Sequence, residues 1–218
     1  MVRPLGKADW NNDEHVQRMA KSYNVRYDDE FWKAFESLTG RKTRSIVADF
    51  GCGPGLLLVD LANRFHAHTA IAIDESEQML VLAETHLKER TDLKSIQIQQ
   101  VNFDTDKMQV DPDSIDFAFS GFMLHEVANP GDFVSKVYNL VKSGGIYVVY
   151  DYVSGNEEMF VKIMSGQRMS AEQARKRYPH MCKHSADDII AILETSGFSD
   201  CRSLIIGDIR AVVVGLKR

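Results

Sequence analysis

An acidic residue, Asp49, stands two positions before the first of three alternating glycines, Gly51, Gly53 and Gly55. Glycine admits positive φ and lets a ligand approach the backbone. A glycine turn that opens a helix also presents free N–H groups and the positive end of the helix dipole. Such a turn is suited to cradle a nucleotide. A second carboxylate, Asp74, lies nineteen positions beyond Gly55. At the end of the following strand it can accept two hydrogen bonds from ribose hydroxyls, and charge-assisted bonds of that kind are strong. His125 is the side chain best suited to proton transfer, since an imidazole titrates close to neutrality.

These residues need elements to hold them. The apolar run Ile46–Phe50 reads as a buried strand, and Leu56, Leu57, Leu61, Ala62 and Phe65 repeat at helical spacing after it. Thr69–Ile73 is the next strand, ending at Asp74, and Ser76 is placed to cap the helix that follows. Residues 95–101 alternate polar and apolar as a strand near a sheet edge does. Residues 113–120 form the fourth strand, leading into Gly121-Phe122-Met123-Leu124-His125-Glu126. A helix from Asp132 runs to Gly144-Gly145, which read as a helix stop, and Ile146–Tyr152 is a buried fifth strand. On a helix, Glu126 would point about 100° away from His125, so the two are not expected to pair. A capped helix from Ser185 and a hairpin of strands turning at Gly207-Asp208 complete the pattern. The expectation is a doubly wound α/β sheet of seven strands, mostly parallel, closed by an antiparallel pair.

The chain has 218 residues, 31 acidic and 26 basic side chains, and a net charge of −5. That balance offers no general attraction for nucleic acid or an anionic membrane, and neither is expected as a partner. The apolar runs are too short for a membrane span, and the first residues lack a signal-peptide core. Three cysteines, Cys52, Cys182 and Cys201, make no disulfide framework, so the chain reads as cytoplasmic. His180, Cys182 and His184 alternate, but zinc sites favour paired ligand spacings, and no metal is expected. One domain over 1–218 is anticipated, with N-terminal helices within 1–44 and a lid-like insertion over 154–183. The sequence sets no oligomeric state.

The set Asp49-x-Gly51-x-Gly53-x-Gly55 resembles the first motif of class I S-adenosylmethionine-dependent methyltransferases, and Leu124-His125-Glu126 resembles a segment of their small-molecule, ubiquinone/menaquinone-type branch. The resemblance implies a Rossmann-like fold and S-adenosylmethionine as cofactor, with S-adenosylhomocysteine as product. It implies that Asp49, Gly51, Gly53, Gly55, Asp74, Asp104, Thr105 and Ser120 contact the cofactor, with Asp104 and Thr105 at the adenine and Asp106 a rival for Asp104. N-terminal helices in this family shape the substrate site, which brings in Tyr23, Tyr27 and Trp32. Tyr23, Phe122 and Tyr150 would form an aromatic wall where the sulfonium charge vanishes, and Asp151 is a candidate to orient an amine. The implied reaction is methyl transfer to an O, N or S nucleophile of a small molecule, with His125 as general base. The alternatives are a non-catalytic S-adenosylmethionine-binding module and a nicotinamide-dependent oxidoreductase. The glycine spacing and the terminal hairpin count against the last.

Overall fold

The computed structural model describes residues 19–40, 42–166 and 169–218. Seven strands form one sheet: β1 (Ile46–Phe50), β2 (Thr69–Asp74), β3 (Ser95–Gln100), β4 (Ile115–Gly121), β5 (Val141–Tyr152), β6 (Ser199–Ile206) and β7 (Arg210–Leu216). Their spatial order is β3-β2-β1-β4-β5-β7-β6. The first five run parallel, and β7 lies antiparallel between β5 and β6. The chain reverses direction across the sheet between β1 and β4, so the carboxyl ends of these two strands flank a natural ligand crevice.

Period-two alternation sorts the strands onto two faces. Val47, Phe117, Phe119, Val148 and Tyr150 face a layer of three helices, α2 (Asp29–Thr39), α3 (Leu56–Phe65) and α4 (Glu77–Arg90). Ala48, Phe50, Ala118, Tyr147 and Val149 face α5 (Pro130–Leu140) and α8 (Ala186–Thr195). The edge strand β3 keeps the alternating burial anticipated for it. The caps follow local chemistry: Ser76 accepts the Met79 N–H, and Ser185 and Asp188 close a reciprocal box at the start of α8.

Two expectations change. Gly144-Gly145 does not stop a helix. α5 ends at Leu140 and β5 begins at Val141, so both glycines lie within the strand. Ile115 pairs with Val141 and Phe117 with Ile146, which makes the pair the centre of a bulge. A side chain at Gly145 would meet the carbonyl oxygens of Ile115 and Lys142 at 2.9 Å each. The N-terminal helices, expected to shape the substrate site, also pack into the sheet core. Phe31 and Phe35 of α2 are fully buried in the sheet core, behind the short helix α1 (Tyr23–Arg26). Of the N-terminal helices anticipated within 1–44, the part before residue 19 lies outside the described residues. Residues 154–183 hold α6 (Glu157–Ser165) and α7 (Ala171–Met181), which share a small core of Phe160, Val161, Ala174 and Cys182 with Ile209.

Candidate active site

The glycine turn is tied to β2 from both sides. The N–H groups of Gly51 and Cys52 donate to the Ile73 carbonyl at 2.8 and 3.0 Å. Asp74 accepts the Gly53 N–H on Oδ2 at 2.8 Å and the Ser76 N–H on Oδ1 at 2.9 Å. Each carboxylate oxygen keeps lone-pair capacity for a further donor. Burial raises the Asp74 carboxyl, against the lowering effect of those two amides. A Cβ on Gly53 would meet nothing within 4 Å, so this side of the turn faces open space.

Asp49 lies beneath the turn, 2% exposed, and its Oδ1 is buried without a hydrogen-bond partner. Burial, and after it the charge of Asp74, hold its carboxyl well above the usual carboxylate range. A buried carboxylate oxygen left without a partner beside an open glycine has capacity for a donor on a ligand. S-adenosylmethionine fits this donor set: Asp74 for ribose hydroxyls, Gly53 for close approach, and Asp49 for the positive end. Because the native Asp49 pKa is raised, the native state favours the protonated form. It loses stability as pH climbs from the unfolded carboxyl value, about 3.9, towards the raised one. Asp49→Asn should therefore raise the melting temperature of the ligand-free protein at pH 8 more than at pH 5. The same change should weaken S-adenosylmethionine by about 10–150-fold, the value of one charge-assisted bond. Thermal unfolding at the two pH values and calorimetric titration check both halves. A variant less stable at pH 8 than the parent would defeat the argument.

The loop after β3 sorts Asp104 from Asp106. Asp106 accepts the Asn102 N–H and the Thr105 hydroxyl, both at 2.9 Å, so its carboxylate is committed to the loop itself. Asp104 accepts the Ala128 N–H at 2.8 Å and joins the loop to the approach of α5. Phe103 packs edge-on against Phe133 beneath them.

At the end of β4 the structure divides the expected residues. The Ser120 hydroxyl is fully buried and bonds the Tyr147 hydroxyl at 2.7 Å, so its side chain points into the core and is lost to a ligand. Phe122 holds a left-handed backbone, φ 54°, unusual for a bulky residue and typical of strained functional positions. Its ring packs against Tyr150, Tyr152 and Tyr27 at 4.8, 4.9 and 6.2 Å. Tyr150, expected on the substrate wall, is fully buried behind Phe122 and Phe31. Its hydroxyl donates to the Arg26 carbonyl at 3.0 Å and accepts from Arg210 at 2.8 Å. Arg210 also grips Asp28 at 3.1 Å, which locks the α1–α2 junction to β7. Tyr23 is held on α3 by a hydrogen bond to Asp60. Tyr27 and Tyr152 are the half-buried rings beside Phe122, and the Arg26 guanidinium lies 5.6 Å from the Phe122 ring.

His125 lies in a turn, not a helix, and is 5% exposed. The helical angle expected to separate Glu126 from it does not apply: Glu126 Oε1 is 3.3 Å from His125 Nε2. Asp151, 2% exposed, accepts from His125 Nδ1 at 2.7 Å and from the Tyr152 N–H at 2.8 Å. Burial pulls the imidazole down, but Asp151 and then Glu126 outweigh it and take it up to about 10. These surroundings favour the protonated imidazole. His180, Cys182 and His184 do not share a strand; His180 is on α7 and Cys182 caps it. Sequence spacing gave no sign that His180 would reach Glu126, at 3.5 Å.

Sheet order and glycine cradle define the class of fold: the Rossmann-like α/β sheet shared by S-adenosylmethionine-dependent methyltransferases. The family model described as a methyltransferase domain matches residues 48–149. A demethylmenaquinone methyltransferase of Leptospira interrogans is 27% identical over 154 residues, 63% of this chain and 59% of that protein. The chain spans between 34% and 59% of the length of the curated relatives it matches. Among solved structures, an S-adenosylmethionine-dependent methyltransferase of Aquifex aeolicus aligns with TM-score 0.70 and 19% identity, over 97% of this chain and 100% of that one. Haemonchus contortus phosphoethanolamine N-methyltransferase 2, solved with S-adenosyl-L-methionine, aligns with TM-score 0.68 and 15% identity, over 97% and 60%. Among the described residues no helix is long and apolar enough to cross a membrane.

Proposed function

We propose that this chain transfers a methyl group from S-adenosylmethionine to an O, N or S nucleophile of a small molecule in the cytoplasm. The observation that carries the reading is the unpartnered Asp49 oxygen beneath the open face of Gly53, with Asp74 at the end of the neighbouring strand. When bound, the cofactor supplies a methyl group activated on a sulfonium sulfur. The chain's own task is positioning. Asp74 holds the ribose, and Asp49 faces the cationic end. Asp104 and Thr105 border the base, and the ring of Phe122, with Tyr27 and Tyr152, excludes water where charge is lost. Bringing a nucleophile into line at about 3 Å accounts for a large part of such a rate, and no dedicated base is required of His125. A small acceptor is supported by the aromatic cluster around Phe122 and by the relative whose name specifies demethylmenaquinone. The same proposal treats the two-helix insertion, α6 and α7, as the lid over that acceptor.

The test is a ligand-dependent melting shift. S-adenosylhomocysteine at 100 times its dissociation constant should add about 2.7 kcal/mol, or about 5–10 °C for a chain of this size. NADH at the same concentration should add nothing. A shift with NADH alone would favour the oxidoreductase. A shift with S-adenosylhomocysteine but no methyl transfer to any demethylated quinol, amine or thiol would leave a binding module.

A further inference from the structure

Three potential ligands meet beside the crevice from two separate elements. His125 and Glu126 come from the turn after β4, and His180 from α7. Their ligand atoms all lie within 4.8 Å of one another. His125 Nε2 is 3.3 Å from Glu126 Oε1, and His180 Nε2 is 3.5 Å from Glu126 Oε2. An ion with metal–nitrogen and metal–oxygen bonds of about 2.0–2.1 Å in tetrahedral geometry sets its ligands about 3.3 Å apart. Two of the three approaches are already near that spacing, one to each oxygen of Glu126, and all three ligand atoms lie within 4.8 Å, so small side-chain shifts would close the set on an ion.

The hydrogen bonding asks for one. Glu126 Oε2 and His180 Nε2 are both buried and neither has a full hydrogen bond; their one mutual contact, at 3.5 Å, is a long ion pair. Buried polar atoms are rarely left so. The opposite nitrogen of His125 is fixed by Asp151 at 2.7 Å, and Asp151 is itself held by the N–H groups of His125 and Tyr152. A carboxylate on the far ring nitrogen is the second-shell arrangement that orients a metal-binding histidine and aims its other nitrogen at the ion. Lys183 adds a bond to the His125 carbonyl at 2.5 Å, which further fixes the turn.

We propose that His125, Glu126 and His180 form a site for a zinc-type divalent ion. Two imidazoles and one carboxylate suit zinc and its first-row neighbours and disfavour magnesium and calcium, which take oxygen ligands. Three protein ligands leave a coordination position open, the pattern of a catalytic metal and not a structural one. The side chains are 6%, 21% and 31% exposed in the order His125, Glu126, His180, so the site is closed on the His125 side and opens past His180. The open position suits an anionic oxygen or sulfur of the acceptor; this use of the ion rests on the methyl-transfer reading, whereas the ligand set does not. The alternating run His180, Cys182, His184 concealed the site, because only one of its members contributes.

The test uses the full chain, stripped with a chelator and titrated with Zn2+ against a chromophoric competitor. One equivalent is expected to bind. Glu126→Gln and His180→Ala should each weaken it at least tenfold, while His184→Ala, outside the ligand set, leaves it unchanged. With Co2+ the parent protein should give the intense visible bands of a four- or five-coordinate site, a readout that does not depend on any variant folding. Less than one equivalent, affinity unchanged in either ligand variant, or a weak octahedral Co2+ spectrum overturns the proposal. The S-adenosylhomocysteine melting shift and a methyl-transfer assay, both measured on the metal-free chain, report separately on the cofactor site and on the methyl-transfer reading.

Discussion

Replacing Asp74 with alanine should weaken S-adenosylhomocysteine by about 10²–10⁴-fold. Two charge-assisted hydrogen bonds to ribose hydroxyls, about 1.5–3 kcal/mol each, set that range. The structure adds a second effect. Asp74 also accepts the N–H groups of Gly53 and Ser76, so alanine releases the glycine turn and leaves two amides without their acceptor. The ligand-free protein should therefore melt lower as well, and stability and affinity must be measured together. Asp74→Asn separates the two contributions. Its carbonyl can still accept one backbone N–H, so the turn is largely kept while the negative charge is lost. Affinity should fall in both variants, and stability mainly in the alanine. Calorimetric affinities within threefold of the parent in both variants would remove Asp74 from the ligand site.

Gly55→Ala should be the most destabilising single-methyl change in the glycine motif, at about 2–5 kcal/mol. Gly55 holds a left-handed backbone, φ 75°, where a Cβ costs about 1–2 kcal/mol. The added methyl would also meet the Cα and Cβ of Ala83 at 2.7 Å, where α3 and α4 pack closely. Overpacking of that kind adds about 1–3 kcal/mol. Gly53→Ala provides the contrast. Its φ is also positive, at 51°, but the new methyl meets no atom. It should cost only the backbone strain, about 1–2 kcal/mol, and reduce cofactor affinity instead. One motif thus contains a packing glycine and a ligand glycine. Urea unfolding of both variants checks the order, and a Gly53→Ala costlier than Gly55→Ala would reverse the assignment.

Much of this was legible in the residues themselves. The strands from Ile46 to Asp74 and the hairpin through Gly207 follow from period and turn chemistry, which act locally. The acidic residues at strand ends were readable because a parallel sheet gathers those ends along one edge. What escaped notice depends on contacts between distant segments. That Tyr150 is sealed by Phe31 and bonded to Arg26 and Arg210 needs three elements to be placed first. Gly144-Gly145 looks like a helix end in isolation and becomes a bulge only when paired with β4. Glu126 was set apart from His125 by assuming a helix where the chain makes a turn, and His180 joins them only after α7 has folded back.

The grip of Arg210 on Asp28 has a consequence for how the molecule is made. The two residues are 182 positions apart. At a synthesis rate of about 5–20 residues per second, roughly 10–40 s separate their emergence from the ribosome. Throughout that interval Asp28 and the Arg26 carbonyl lack the guanidinium that fastens them, while Phe119, Phe122 and Tyr150, the ring partners of Tyr27 and Phe31, have already emerged. The α1–α2 junction is therefore locked to the sheet only after translation of β7.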